Sequence, residues 1–553
     1  MAKNDHKLEL TWYNKSKSLF YDPNKKEYLW VDKKDPRVSE PRILLERESY
    51  GDKDSENILI KGDNLLALKA LLPDYGGKVK LIYIDPPFNT GAGFEHYDDG
   101  LEHSIWLTMM RDRLQLLKQF LRKDGKIFVH VDWHEMARLK VVLDEVFGLS
   151  NYMNTITMTT NDPSGFKATA NKLFTTSNFI LVYSKSDKGK NLNKLYVEKG
   201  YDKQYSKYLH NRDKNYTSWR WENLTDVVAK SLGFGNSKDA KKELTNELFE
   251  GKVAEFAIEN ARNVFRLAVI QGGARAKRLE TIKKSKEVKN KVFVHPNEDL
   301  DNFYILNGDQ ILFYENRLVE IDGIKLPGQL VTDVWTDISW NGISNEGEIN
   351  FPNAKKPEAL IKRVLEMTTQ NGDLVLDSFA GSGTTGAVAQ KMNRKWIMIE
   401  MGGHAETHII PRIKSVVSGK DQTGISKSVS WKGGSGFKYF ELGDSLFVAD
   451  DDLRLTVLNP KVYNGVLIRA VLKVEGFKLL HPDNGLHGIS GRTIAHVTEQ
   501  YLNQEYVEAL LREVSDAADY LIVYAKTISS KIKLPENVEI RKIPDVLLRK
   551  FKV

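Results

Sequence analysis

The sequence predicts an α/β protein: a doubly wound parallel sheet, split by an inserted module and followed by a small α/β domain. Three observations predict it. Short β-branched runs alternate with segments of helical periodicity from about residue 55 onward. The alternation breaks at about Ser186, gives way to irregular, charged sequence as far as about Pro327, and returns from about Val331. Two corners, Asp85-Pro-Pro-Phe88 and Asp377 to Gly386, each follow an apolar run with no polar break. Strands buried on both faces read that way, and open α/β sheets place ligands at the carboxyl ends of such strands.

The elements follow in chain order. Residues 1–50 are polar and punctuated by Trp12, Tyr13, Tyr21 and Trp30, as an extension packed on another domain or subunit would be. Ile58 to Ile60 is a short strand ending at Lys61-Gly-Asp-Asn64. A helix runs from Leu65 to Leu72, closed by Pro73. Leu81 to Ile84 is a buried strand; Pro86 and Pro87 end it, and Pro86 biases Asp85 away from helix. Leu107, Met110, Leu114, Leu117 and Leu121 space a helix over Ser104 to Leu121, stopped by Asp124-Gly125. Lys126 to Val131 is the next strand, Met136 to Phe147 a helix, and Ile180 to Tyr183 a strand. After the break, Leu374 to Asp377 is a strand, Gly381 to Lys391 a loop and helix, and Trp396 to Glu400 a strand. Gly424 to Phe437 is rich in Gly, Ser and Lys and reads as a loop. A helical pattern at Tyr501 to Ala518 and a strand at Tyr520 to Tyr524 mark the C-terminal domain.

Composition narrows the function classes. A chain of 553 residues has room for two to four domains. Lys+Arg 81 against Asp+Glu 74 gives a net charge of +7, which permits nucleic acid without demanding it. Without cysteine there are no disulfides, zinc–thiolate sites or thiol nucleophiles. No apolar stretch reaches membrane-spanning length and the first residues lack a signal core, so a cytoplasmic protein with no membrane partner is expected.

The chemistry of the two corners differs. At the first, Asp85 and the Pro86 carbonyl are acceptors, and Phe88 offers a flat apolar face. Together they suit a planar ring bearing an amine, such as adenine or cytosine. At the second, Gly381, Gly383 and Gly386 fit G-x-G-x-x-G, and Glu400 ends the next strand where a ribose-binding acid would stand. That pattern alone admits a nicotinamide or flavin dinucleotide. Asp377, at the strand tip just before the loop, would meet a pyrophosphate unfavourably, and suits a cationic cofactor better.

Asp85-Pro-Pro-Phe88 resembles the catalytic motif of the DNA amino-methyltransferases, and its aspartate resembles the adenine-N6 enzymes more than the cytosine-N4 ones. The longer string, Gly62-Asp-Asn64 through Asp85 to Gly91, resembles the modification subunit of type III restriction systems. The resemblance covers roughly residues 55 to 445. It implies S-adenosyl-L-methionine as cofactor and a circularly permuted sheet, the β arrangement, with the catalytic corner first and a target-recognition insert before the glycine loop. The implied catalytic residues are Asp85, Pro86, Pro87 and Phe88. The implied cofactor residues are Asp63, Lys356, Pro357, Asp377, Phe379, Gly381, Gly383, Thr384 and Glu400. Among these, Phe351 to Pro357 resembles the support of the cofactor's methionine end, though on residues alone it is equally a loop before a helix at Glu358 to Met367. Asp63 resembles the acid that accepts from the cofactor's adenine amine; as a residue it is also a good helix N-cap. His130 and His134 flank Asp132, but the chemistry needs no metal, and none is expected.

The expected domains are an N-terminal extension (1–50), catalytic part (51–186), target-recognition insert (187–330), cofactor part (331–446) and C-terminal domain (447–553). The insert interleaves aromatic and basic residues from Tyr201 to Trp221, and Arg262 to Lys291 is dense in Lys and Arg. Tyr205, Lys207, Arg220, Lys283, Lys284 and Lys286 are the candidate DNA contacts. Val334 to Gly342 also resembles type III subunits; its Trp335 and Trp340 read equally well as core. The expected partners are double-stranded DNA, a second copy in a homodimer, and a restriction (helicase–nuclease) subunit. The rival readings are a cytosine-N4 DNA methyltransferase and a recognition subunit without activity of its own.

Overall fold

One ten-stranded mixed sheet carries both corners. The computed structural model describes residues 8–22, 25, 27–40, 42–90, 101–160, 173–296, 302–321, 323–351, 355–445, 447–450, 455–458, 466–480, 486–514 and 518–543. Gly91 of the first motif, residues 352–354 of the Phe351 segment and several joins of the expected C-terminal domain lie outside them. The sheet strands are β1 (Leu44–Gly51), β2 (Ile58–Lys61), β3 (Val79–Ile84), β4 (Leu121–Val131), β5 (Tyr152–Thr159), β6 (Ser177–Ser184), β7 (Val334–Trp335), β8 (Leu374–Asp377), β9 (Lys395–Glu400) and β10 (Gly436–Leu442). Their order is β7-β5-β6-β4-β3-β8-β9-β2-β10-β1. The run β4-β3-β8-β9-β2-β10 is parallel throughout, and β6 and β1 pair antiparallel at its two sides.

Helices α1 (Asn64–Tyr75), α2 (His103–Phe120) and α3 (Trp133–Phe147) share one core with the sheet. It includes Ile82, Ile84, Ile127, Val129, Leu376, Ile397 and Ile399. Strand side chains alternate between faces, so the residues between these point the other way. There Met398 lies against Gly386 of α5 (Thr384–Lys391), which packs with α4 (Glu358–Thr368) and α6 (Ile410–Val417). Both faces are thus covered, which explains why these strands read as continuous apolar runs. Each isoleucine so buried contributes about 1.5–3 kcal/mol relative to exposure.

Two local expectations shift. Pro73 does not close α1, which continues to Tyr75. Proline withholds one helical hydrogen bond, a tolerable loss in a last turn that Gly76 then caps through its N–H to Leu72 O. Residues 44–51 are a strand of the main sheet rather than part of an extension. Upstream, Trp12 donates to the Thr108 hydroxyl at 2.7 Å, and a hairpin (Ser18–Asp22 with Glu27–Val31) buries Leu19 and Val31.

The chain divides into two compact units, residues 1–193 with 333–553, and 194–332. In the second, a six-stranded antiparallel sheet runs in the order Trp221–Asn223, Lys207–Leu209, Val264–Ala268, Asp309–Phe313, Phe303–Leu306, Val292–His295. A separate three-stranded sheet joins Leu318–Ile321, Ile324–Leu330 and Tyr196–Glu198. Its pairing sets Leu330 opposite Tyr196, so the unit's first and last strands are neighbours. Within the first unit, a five-stranded sheet near the C-terminus includes the parallel strands Thr493–Leu502, Tyr520–Ile528 and Val538–Lys542. No helix among the described residues is long and apolar enough to cross a membrane.

Candidate active site

Four adjacent parallel strands, β3, β8, β9 and β2, end in acids: Asp85, Asp377, Glu400 and, two residues beyond Lys61, Asp63. The sheet therefore brings both sequence corners side by side, although the chain places them far apart.

At the β3 corner, Asp85 is largely buried. Its Oδ2 accepts from the Lys356 ammonium, and its Oδ1 lies 4.0 Å from His130 Nδ1. Among the described residues Oδ1 has no hydrogen-bond partner. Burial pushes the Asp85 carboxyl above its usual range, and Lys356 opposes that shift. Phe88 lies 5.5 Å from the His130 ring and 4.9 Å from the Lys356 ammonium. Trp340 stands edge-on to His130 at 6.5 Å, its indole N–H buried and unpaired among the described residues. His130 bonds to the Tyr83 hydroxyl at 2.9 Å and to Asn178 at 3.2 Å. Burial holds its imidazole far below the ordinary pKa, so the ring is neutral at pH 7.

The corner is braced from below. Trp106 donates to the Pro87 carbonyl at 2.8 Å. Asn89, in the left-handed region at φ 61°, donates to Glu135 at 2.7 Å, and His103 meets the same carboxylate oxygen at 2.5 Å.

At the glycine loop, Asp377 Oδ1 accepts from Phe379 N at 2.9 Å and Oδ2 from the Thr385 hydroxyl at 2.6 Å. Burial is the largest influence on this carboxyl, and its pKa rises from 3.8 to about 7, with Asp85 and Glu400 adding repulsion. Gly381 and Gly383 have φ 54° and 76°, which side chains rarely adopt. Gly381 N donates to Glu400 Oε2 at 2.8 Å, while Glu400 Oε1 accepts from Gly402 N at 3.0 Å and meets His404 at 3.1 Å. Thr384 begins α5 with its hydroxyl between Ser382 and Arg412.

This geometry tests the cofactor's charge. Loop amides that would cradle a pyrophosphate already serve Asp377 and Glu400, and two carboxylates line the corner. A phosphate-bearing dinucleotide fits poorly; a cationic cofactor fits. Ser378 adds a buried hydroxyl with no partner among the described residues.

The remaining expected residues fall as follows. Asp63 caps α1 through Leu65 N and Leu66 N and pairs with Arg113 at 3.0 Å. Pro357 is the residue before α4, and Lys356 points its ammonium at Asp85. Tyr205 requires a correction as a DNA contact: at 2% exposure it is core of the 194–332 unit, packed against Tyr314. The aromatic residues of that stretch fill two cores of the unit, Tyr201, Tyr205 and Tyr208 against helix residues such as Val228 and Phe249, and Tyr216, Trp219 and Trp221 against the sheet, with Arg212 over Phe313 at 3.7 Å. Lys207 is half-buried and bonds Asn223, while Arg220 is exposed. Lys283, Lys284 and Lys286 are exposed on a helix that buries Ile282 and Ser285.

Sequence reasoning gave His130 no role and missed Glu135 and a buried charge network behind the loop. In that network Glu358, Lys391 and Arg412 have no exposed side-chain surface. Lys391 pairs with Glu358 and Asp421, each at 2.8 Å, and Arg412 with Glu358 at 2.9 Å. Arg412 also donates to Thr384 and to the Ser382 carbonyl, at 2.8 and 3.1 Å. One signal was available: Arg412 falls inside the apolar stripe Ile409, Ile413, Val416.

Comparison with known proteins gives the following. The sequence profile of a DNA methylase family matches residues 79–410. The chain is 36% identical over 419 residues to the Haemophilus influenzae protein named "Probable type III restriction-modification enzyme HindVI Mod subunit", covering 72% of this chain and 55% of that one. It is 26% identical to the Escherichia coli type III restriction-modification enzyme EcoP15I Mod subunit, covering 64% and 60%. It is 28% identical to the type II methyltransferase M.EcaI of Enterobacter cloacae, covering 64% and 69%. The chain thus spans little more than half the length of the first two relatives.

Proposed function

The chain belongs to the DNA methylase family, and from that premise we propose that it is a site-specific adenine-N6 DNA methyltransferase using S-adenosyl-L-methionine. It serves as the modification and recognition subunit of a cytoplasmic restriction–modification system. The observation that carries the reading is the adjacency of the two corners. Asp85, with one acceptor oxygen unpaired among the described residues, follows the strand next to the one that ends in Asp377 and the glycine loop. The names of the relatives support the modification role.

The target adenine must leave the base stack, because its amine cannot align for transfer inside a duplex. Phe88 stacks on the extruded ring. Asp85 Oδ1 and the Pro86 carbonyl accept its two N–H bonds, which draws the nitrogen lone pair out of ring conjugation. The cofactor supplies the methyl group on a cationic sulfur. Asp377, Phe379, Gly381, Gly383 and Thr384 would hold it, with Asp63, Pro357 and Glu400 at the margins. The protein's contribution is orientation and fixed charge. Residues 187–330 carry sequence choice, with Lys283, Lys284 and Lys286 on DNA phosphates. A homodimer and a helicase–nuclease restriction subunit are the remaining partners.

The test is methylation-sensitive sequencing of DNA from cells expressing the chain. We expect N6-methyladenine at one recurrent short sequence, lost with Asp85→Ala while cofactor binding persists. Lost polarisation should cost at least about tenfold in turnover, or about 1.4 kcal/mol. N4-methylcytosine instead, or an Asp85→Ala enzyme above a tenth of wild-type rate, refutes it.

A further inference from the structure

The Asp85 carboxylate is used unequally. Oδ2 holds the Lys356 ammonium, while Oδ1 is buried and unpaired among the described residues. A buried acceptor left without a donor is costly and calls for an explanation. His130 does not supply the donor, since its Nδ1 stands 4.0 Å away and already meets the Tyr83 hydroxyl.

We infer that Lys356 is a positioning residue for base recognition: it fixes Asp85 by one oxygen and leaves the other as the acceptor aimed at the target amine. The inference rests on the methyltransferase reading of the site. Resemblance alone assigns Lys356 to the cofactor; its contacts point to the base.

Three features support this. The Lys356 ammonium also stands 4.9 Å from the Phe88 ring, so one cation orders both the acceptor and the stacking surface. Its segment is anchored: neighbouring Lys355 donates to the carbonyls of Ser344, Glu346 and Ile349 at 2.8–3.0 Å. Pro357 stands immediately after it, at the N-terminus of α4, and fixes the backbone there. Electrostatics then follow. Burial drives Asp85 toward its protonated form, in which one oxygen carries a proton; Lys356 favours the ionised form.

The experiment compares wild type, Lys356→Met and Lys356→Arg. Methyl incorporation from labelled S-adenosyl-L-methionine into unmethylated genomic DNA is followed in single turnover against pH, and cofactor affinity is measured by calorimetry. With Lys356→Met, Asp85 should ionise only at higher pH, so the acid limb of the rate profile should move up by about one to three pH units. Cofactor affinity should stay within about threefold of wild type. Lys356→Arg keeps the cation, guards against a folding defect and should restore the limb. An active wild type with a Lys356→Met limb that coincides with its own, or with the whole loss in cofactor affinity, overturns the inference alone. A wild type that methylates no DNA overturns the reading of function and this inference with it.

Discussion

Arg412→Met tests whether the buried charge network supports the cofactor loop. Methionine keeps the apolar stem and removes the guanidinium. Arg412 has no exposed side-chain surface and holds Glu358, Thr384 and the Ser382 carbonyl. Breaking a buried pair from one side costs about 3–5 kcal/mol. Here Glu358 keeps Lys391 at 2.8 Å, so its charge is not stranded, and the loss belongs at about 3 kcal/mol, the low end of that range. With a urea slope of about 3 kcal/mol/M, the unfolding midpoint of this unit should fall by about 1 M. Ser382 and Thr384 lose their brace as well, so cofactor affinity should drop about tenfold, or about 1.4 kcal/mol. Urea unfolding followed by tryptophan fluorescence reports the first, through buried Trp335 and Trp396. Calorimetric titration of S-adenosyl-L-methionine reports the second. A midpoint and an affinity both unchanged would show that the loop stands without the network.

Asp377 should make cofactor binding pH-dependent. Its folded pKa of about 7 lies above the ordinary 3.8, so between those values the folded state binds more protons and stability declines as pH rises. A cationic ligand needs Asp377 ionised, so affinity should increase as pH rises through about 7, and Asp377→Asn should abolish that slope; a flat titration would remove the residue from the site. Glu400→Ala should weaken cofactor binding about tenfold to a hundredfold if the carboxylate reaches the ribose, and unchanged affinity would leave Glu400 as a brace for Gly381 and Gly402 only. Neutralising Lys283, Lys284 and Lys286 together should weaken binding to all DNA sequences and flatten its salt dependence, with cofactor affinity intact; an unaltered salt slope would place the phosphate contacts elsewhere.

The legible parts of the molecule were those with local causes. β3 is an apolar run stopped by Asp85 and two prolines and β8 one that ends in Asp377, and neither end needs distant information. Asp63 was legible as a helix cap because capping is a local bond. Adjacency of Asp85 and Asp377 is not local; it depends on strand order, which periodicity does not carry. Glu358 and Lys391 look like ordinary helix charges until packing turns them inward to meet Arg412, whose place in an apolar stripe is the one local sign of the network. Tyr205 shows that alternating aromatic and basic residues describe a nucleic-acid surface and the packed interior of a small domain equally well. The resemblance places Lys356 at the cofactor, and no sequence pattern says that its ammonium meets Asp85.

The pairing of Leu330 with Tyr196 brings the two ends of the 194–332 unit to one strand ladder. A chain segment whose ends are already clasped imposes almost no closure entropy on what it interrupts, and that entropy grows only slowly with the length enclosed. The surrounding fold is therefore thermodynamically blind to the size and contents of this segment. Such a cassette can be lengthened, shortened or exchanged without rebuilding the sheet it interrupts.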